Sequence, residues 1–317
     1  MEPNNKKKIS REQSETIPIP KGVNYPTSMK KAGLKLMSWN CGRGFLRQHK
    51  ITEAAHFIKS MDISICAVSE ADIRNHNEYS GSQYNIPQYF PVFPKSWNNL
   101  KIARIITYCK NELRNNIKIR EDLMTENQPD IWLQIQIGKG TKFLLGMIYR
   151  EWTSTDGKGS HKDQKDRLQE LINNAEKAVN ENAEIIIMGD MNVNIENMNT
   201  TGEQKELNEL MNNFKNNNNL TQLVKAYTRS RVVGGRLQRS IIDHVYTNMP
   251  ENITDLKLTN PASSDHAIIY FTRKTSYEGH INQAQERRCF KYYIEDLFNE
   301  ELASMDWEAV LDEQDVD

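Results

Sequence analysis

Residues 184–192 read EIIIMGDMN. Three consecutive isoleucines and a methionine form a short apolar run bounded by polar sequence, the pattern of a strand buried on both faces. The run predicts a strand that ends at a Gly turn and delivers Asp190 and Asn192 to its carboxyl end. In open α/β sheets ligands gather where strands end, so a carboxylate and an amide two residues apart are placed there for chemistry. Gly, Asp and Asn are also turn residues, and the same letters read as a surface turn or a helix N-cap. The surrounding sequence has to decide.

Immediately upstream, Leu168, Leu171, Ile172, Ala175 and Val179 share one face of a helix predicted over 161–180, and a helix feeding a buried strand is an α/β signature. Before it, IWLQIQIGKGTKFLLGMIYRE reads as a hairpin turning at Gly138, Lys139 and Gly140, its second arm ending at Tyr149 and Arg150. Nearer the start, LKLMSWN (34–40) alternates as a strand ending at Asn40. A CGRG turn follows, then helical spacing over 47–60 and a second strand, ISICAVSE, ending at Glu70. A loop with a short strand near Tyr89 to Phe93 and a strand in KIARIITYC complete this half.

Downstream come a helix near 203–214, the low-complexity run NNFKNNNN and a segment from Lys225 to Ile242. That segment holds Lys225, Arg229, Arg231, Arg236 and Arg239, no acid, and Gly234 and Gly235 at its middle, the pattern of a basic hairpin. Strands are expected around Asp243, over ITDLKLTN and over AIIYFT, beside Asp265 and His266. Residues 1–32 read as a disordered lead-in carrying Lys6, Lys7 and Lys8. Residues 33–274 form the domain, and 275–317 form a charged linker with a helix from Ile294 to about Val310.

A chain of 317 residues, 38% of them apolar, can bury a sizeable core. A formal charge of −1 gives no overall basic footprint, so nucleic-acid binding would have to come from local patches. Four scattered cysteines, Cys41, Cys66, Cys109 and Cys289, have no metal-binding spacing and point to free thiols in a reducing compartment. No run approaches the roughly 20 apolar residues that cross a bilayer. A soluble intracellular protein without a membrane partner is expected.

The polar residues at strand ends are Asn40, Glu70, Tyr149, Asp190, Asn192, Asp243, Asp265 and His266. Several carboxylates converging on one cleft would repel unless a cation neutralised them, and a hard, oxygen-rich set suits Mg²⁺ better than zinc, with Mn²⁺ a substitute. Such a set predicts metal-assisted hydrolysis of a phosphate ester.

WN at 39–40, SE at 69–70, IY at 148–149, GDMN at 189–192, IDH at 242–244 and SDH at 264–266 occur in the order seen in the endonuclease/exonuclease/phosphatase superfamily, and the resemblance spans about residues 34–273. More narrowly, YR after the hairpin, T-R before the basic loop and S-I-I-D-H resemble the apurinic-type endonuclease of non-LTR retrotransposons. The tail from Lys291 is similar to the linker preceding their reverse transcriptase. The resemblance implies a four-layer α/β sandwich of the DNase I type, two facing mixed sheets flanked by helices. It implies a Mg²⁺-dependent endonuclease on double-stranded DNA that leaves a 3′-hydroxyl to prime reverse transcription, acting in the nucleus and followed by a reverse transcriptase domain.

It also implies roles for residues. Glu70 would be the principal metal ligand, with Asn40 and Asp265 helping to hold the ion and its waters. Asp190, positioned by Asn192, would handle the attacking water or the leaving oxygen. His266 paired with Asp243 would stabilise the transition state, and Tyr149 would donate to the phosphate. The family's Gln-Glu-Thr appears here as Ser69, Glu70 and Ala71, which keeps the ligand but changes its neighbours.

Outside that resemblance Asn40 reads as a turn residue and Tyr149 as an aromatic on the rim, while His244 reads as structural or solvent-facing. Arg150, Arg229, Arg231, Arg236 and Arg239 read either as solvated charge or as phosphate contacts. Two rival functions follow: a phosphodiesterase or phosphatase of the same superfamily acting on RNA, lipid or inositol phosphates, and a nucleic-acid-binding domain that has lost catalysis.

Overall fold

The isoleucine run lies near the middle of a six-stranded sheet, where burial on both faces makes its unbroken apolar character necessary. The computed structural model describes residues 33–74, 84–137, 142–152, 157, 159–196, 202–275, 299–300 and 303–304. Contacts divide the chain into two units, Met1–Gly279 and His280–Asp317. In the second unit the described residues are helical. The rest of the helix expected from Ile294, and the lead-in of residues 1–32, lie outside the described residues.

In chain order the strands are β1 (Leu34–Asn40), β2 (Ile65–Arg74), β3 (Tyr89–Val92), β4 (Ile102–Lys110), β5 (Ile117–Ile119), β6 (Asp130–Gln136) and β7 (Lys142–Tyr149). They continue with β8 (Glu184–Asp190), β9 (Thr221–Gln222), β10 (Arg229–Val233), β11 (Arg236–Ser240), β12 (Asp243–Thr247), β13 (Ile253–Thr259) and β14 (Ile268–Arg273). The helices are α1 (Gln48–Ser60), α2 (Trp97–Leu100), α3 (His161–Val179) and α4 (Glu203–Asn217). One sheet has the order β13-β14-β1-β2-β4-β3 and the other β5-β6-β7-β8-β12-β9. Each is mixed: β1 and β2 run parallel, as do β7 and β8, and their remaining pairings are antiparallel.

Period-two alternation assigns the faces. Leu34, Leu36, Ile65 and Phe271 share an apolar cluster with Leu145 and Ile187 of the second sheet, and Leu168, Leu171 and Phe214 of α3 and α4 belong to it too. The intervening residues Met37, Trp39, Cys66 and Tyr270 cluster with Phe57 and Ile58 of α1. The result is the expected four-layer sandwich, helix, sheet, sheet, helix. Ile185, Ile186 and Ile187 are at most 1% exposed. At about 1.5–3 kcal/mol for each such side chain, that anchoring lets the strand end on a residue that costs stability.

Two local features differ from expectation. The strand expected to end at Glu70 runs on to Arg74 through a bulge between Ser69 and Ile73. Within it Glu70 and Asp72 take φ values of 55° and 53°, an unusual conformation for residues other than Gly, of the kind that concentrates at functional sites. Gly189 forms no turn: β8 passes through it to Asp190. With φ 137°, a Cβ there would lie 1.9 Å from the Ile148 carbonyl oxygen of β7, so this close strand approach excludes a side chain.

Gly234 and Gly235, with φ 56° and 76°, close the β10–β11 hairpin in the left-handed conformation its two-residue turn needs. Among the described residues no helix is long and apolar enough to cross a membrane.

Candidate active site

Sheet register assembles the site. Tyr149 of β7 pairs with Asp190 of β8, which pairs across with Asp243 of β12, so three neighbouring strands end side by side on these groups. In the other sheet Asn40 pairs with Ser69, next to Glu70. Asn40 joins the two sets: its Nδ2 donates to Glu70 Oε1 at 3.2 Å and to Asp190 Oδ2 at 2.7 Å. Its Oδ1 turns away and accepts from the Gly42 backbone N–H at 2.9 Å. Asn40 thus presents its amide nitrogen to the carboxylates and stands here as a hydrogen-bond donor that ties Glu70 to Asp190.

His266 Nδ1 lies 2.9 Å from Asp243 Oδ2, both side chains buried, so Nδ1–H donates to the carboxylate and Nε2 is left for the cleft that His266 lines. Burial alone would lower the imidazole's pKa, but the Asp243 charge and hydrogen bond raise it to about 9, so it is protonated at neutral pH. Asp190 is pushed up to about 7, first by burial and then by the Asp243 charge. Its Oδ1 accepts from the Asn192 backbone N–H at 2.8 Å. Among the described residues, Asp190, Asp243 and His266 have ligand atoms all within 4.8 Å, close enough to hold a metal. With His266 Nδ1–H committed to Asp243, the trio also has the arrangement of a proton-moving group.

The open side is a cleft of about 700 Å³ bordered by Glu70, Tyr149, Trp152, Arg229, Asp265 and His266. Tyr149 OH donates to Glu70 Oε1 at 3.3 Å. Arg229 Nε donates to Asp265 Oδ2 at 2.8 Å and holds that carboxyl below its ordinary pKa, against the effect of burial. The hairpin beside this rim exposes Arg231, Arg236 and Arg239, together with Val232 and Leu237.

Arg150 is a correction. It is 0% exposed, and its guanidinium donates to the carbonyls of Met191 (2.5 Å) and Asn192 (2.7 Å) and to Gln164. Burial lowers its pKa to about 10. It shapes the loop after β8 from inside and does not reach a phosphate. Asn192 Nδ2 returns the contact by donating to the Arg150 carbonyl at 2.8 Å.

His244 is structural as expected: Nε2 sits 3.2 Å from the Ile241 carbonyl, Nδ1 3.1 Å from Tyr246 OH, and burial lowers its pKa to about 4. The sequence reading missed Lys50. Its ammonium, 3% exposed, caps the carbonyls of Cys41, Gly42 (2.8 Å) and Arg43 (3.0 Å), fixing the loop that carries the Gly42 N–H on Asn40. Its position two residues into α1, facing a CGRG turn, was the available signal. Cys41, Cys66 and Cys109 are buried free thiols.

Residues 147–270 match the family described as Endonuclease-reverse transcriptase. No curated protein sequence matches the chain. Among solved structures it is similar to the endonuclease domain of TRAS1, a telomere-specific non-LTR retrotransposon, at 13% identity over 77% of this chain and 100% of that one, with a TM-score of 0.55. It is similar to the AP endonuclease LMAP from Leishmania major at 14% identity, covering 77% of this chain and 88% of that one, TM-score 0.60. It is also similar to the 3′ phosphatase NExo from Neisseria at 12% identity, covering 76% and 100%, TM-score 0.55. The two six-stranded sheets flanked by helices are therefore a DNase I-like fold, and the likeness to retrotransposon endonucleases read from the sequence holds.

Proposed function

We propose that the protein is a Mg²⁺-dependent endonuclease that hydrolyses one phosphodiester bond of double-stranded DNA and leaves a 3′-hydroxyl, as an element that primes reverse transcription at its target would require. The observation that carries this reading is the open cleft lined by Glu70, Tyr149, Asp265 and His266, with Asp190 and Asp243 buried at adjoining strand ends and an arginine-bearing hairpin at the rim.

The residues fit a hard divalent cation. Glu70 is half-buried and its hydrogen bonds come from two neutral donors, Asn40 and Tyr149, so its charge remains for an ion. Glu70 would hold the cation, with Asp265 beside it, and Mg²⁺ commonly takes only one or two carboxylates and completes its shell with water and phosphate oxygens. The bound ion would neutralise charge developing on the phosphate.

The protein's own groups supply the rest. Asp190, ionised over part of the neutral range and fixed by Asn40 and the Asn192 N–H, takes the proton of a water attacking phosphorus opposite the 3′-oxygen. The protonated His266 stabilises the added negative charge, and Asp243 fixes its ring. Tyr149 donates to a phosphate oxygen. The bond to the 3′-oxygen breaks, that oxygen takes a proton from solvent, and a 5′-phosphate remains. Arg231, Arg236 and Arg239 would contact the backbone and set the duplex in register without reading its sequence. In a retrotransposon polyprotein such a domain would act on chromosomal DNA in the nucleus, with a reverse transcriptase following it.

Supercoiled plasmid incubated with the protein and Mg²⁺, with and without EDTA, tests the reading beside Glu70→Ala and His266→Ala. Chelator-sensitive nicking that both variants lose is the expected result. DNA binding without nicking would leave only an inactive binding module, and cleavage confined to small phosphate esters or lipids would move the protein to another branch of the superfamily.

A further inference from the structure

The sequence gives no reason to single out Arg104, an arginine in the apolar strand β4. The structure gives its guanidinium three partners around the site. Nη1 forms an ion pair with Asp72 Oδ1, on the bulge that presents Glu70. Nε lies 2.7 Å from Glu151 Oε1, an opposite-charge contact too bent for a hydrogen bond. Nη2 donates to the Tyr149 hydroxyl oxygen at 3.1 Å, with the guanidinium carbon 5.3 Å from the ring centroid.

The direction of the last bond matters. An arginine only donates, and a phenol has one proton. With Nη2 pointing at its oxygen, Tyr149 must act as a donor on its other side, where the proton now meets Glu70 Oε1 at 3.3 Å. We propose that Arg104 is a positioning residue for phosphodiester cleavage, its guanidinium holding the Tyr149 hydroxyl as an obligate donor aimed into the cleft, where an oxygen of the scissile phosphate takes the place of Glu70 Oε1. The adjacent positive charge also strengthens the hydroxyl as a donor. A lysine could balance Asp72 and Glu151. Serving both carboxylates and the hydroxyl together needs the planar fork of arginine. This inference rests on the phosphodiesterase reading above.

Arg104→Lys is the discriminating variant, because it keeps the charge that Asp72 and Glu151 require and removes the fork. Single-turnover plasmid nicking is compared for the wild type, Arg104→Lys, Tyr149→Phe and the double variant, with circular dichroism and DNA binding in EDTA as controls. The expected result is a folded Arg104→Lys protein with unchanged DNA binding and a nicking rate about 10- to 100-fold lower. The double variant should be no slower than Tyr149→Phe, because both changes act through one hydroxyl. A wild-type rate in Arg104→Lys, or losses that multiply in the double variant, would overturn the inference.

Fluorine NMR of protein carrying 3-fluorotyrosine supplies a readout independent of activity, with the Tyr149 signal identified by its loss in Tyr149→Phe. That signal should move in Arg104→Lys. If the wild type nicks nothing, the functional reading fails on its own. A moved signal then still supports Arg104 ordering the hydroxyl, and an unmoved one overturns that as well.

Discussion

Strand β8 carries a buried carboxylate at each end, and the two are treated in opposite ways. At the entry end Glu184 is matched: Arg273 donates to both its oxygens, at 3.0 and 2.6 Å, and Asn252 donates to one at 2.9 Å. Arg273 in turn lies over the Phe143 ring, 4.7 Å from its centroid. At the exit end Asp190 faces Asp243, and its pKa is pushed up to about 7. Similar burial on one strand therefore yields a satisfied ion pair at one end and a carboxylate in conflict with its neighbour at the other. Glu184 is paired with a cation, whereas Asp190 is buried beside a like charge and held only by neutral donors, Asn40 and the Asn192 N–H, the setting that a proton-exchanging group would need.

The largest effects should come from breaking each end. Asp190→Asn keeps the shape and removes the proton acceptor, so nicking should fall by about 10²- to 10⁴-fold. Stability should hold or rise, because a carboxylate repelled by Asp243 is gone. Arg273→Met should do the reverse: stranding Glu184 in the interior costs about 3–5 kcal/mol, with normal nicking per folded molecule. Denaturant titration and nicking on the same preparations check both. Loss of nicking with Arg273→Met in folded protein, or a large loss of stability with Asp190→Asn, would erase the distinction.

That distinction was only half legible in the sequence. An apolar run ending in GDMN, and Glu70, Asp243 and His266 expected at the ends of other strands, marked residues that the fold gathers around one cleft, although β2 runs on past Glu70. Glu184 looked like an ordinary strand-edge residue. Its partner Arg273 is 89 positions away on a strand of the other sheet, and no local pattern encodes that meeting. Arg150 failed for the same reason in reverse: beside the site in sequence it read as a phosphate contact, yet the loop it braces, at Met191 and Asn192, lies about 40 residues on and closes over it. The bulge at Glu70 was hidden too, since Ser69-Glu70-Ala71 carries no Gly to announce a positive φ.

A smaller effect is expected from pH, confined to the unmatched end. His266 has a folded pKa of about 9, above its ordinary 6.5, so the stability it adds is fully present below about 6.5 and is lost as pH rises through about 9. Asp190 acts in the same sense: its folded value of about 7 exceeds 3.8, so ionising it costs stability as pH rises through about 7. His244 works oppositely, its folded value of about 4 lying below 6.5, so stability falls as pH drops from about 6.5 towards 4 while the unfolded chain takes up the proton. Denaturation midpoints across pH should therefore show His266→Gln flattening the alkaline limb and His244→Gln the acid limb. Identical profiles in both variants would mean that neither histidine is set as described.

The contrast between matched and unmatched charge reaches the hairpin, where the smallest effect is expected. Arg229 gives its Nε–H to Asp265, so its charge is already balanced at the rim of the cleft. Arg231 and Arg236 are exposed, with no carboxylate partner among the described residues, and remain available to phosphate. Each phosphate neutralised on duplex DNA should contribute about 0.9 to the slope of log affinity against log salt. Arg231→Ala and Arg236→Ala should therefore each flatten that slope by up to about this amount. Arg229→Ala should barely change it, because removing a balanced cation also frees Asp265 to repel the backbone: affinity drops through that repulsion and not through lost counterion release. Binding measured in EDTA over a salt series separates the cases, and a slope change in Arg229→Ala as large as in the other two would show that the Asp265 pairing does not persist on DNA.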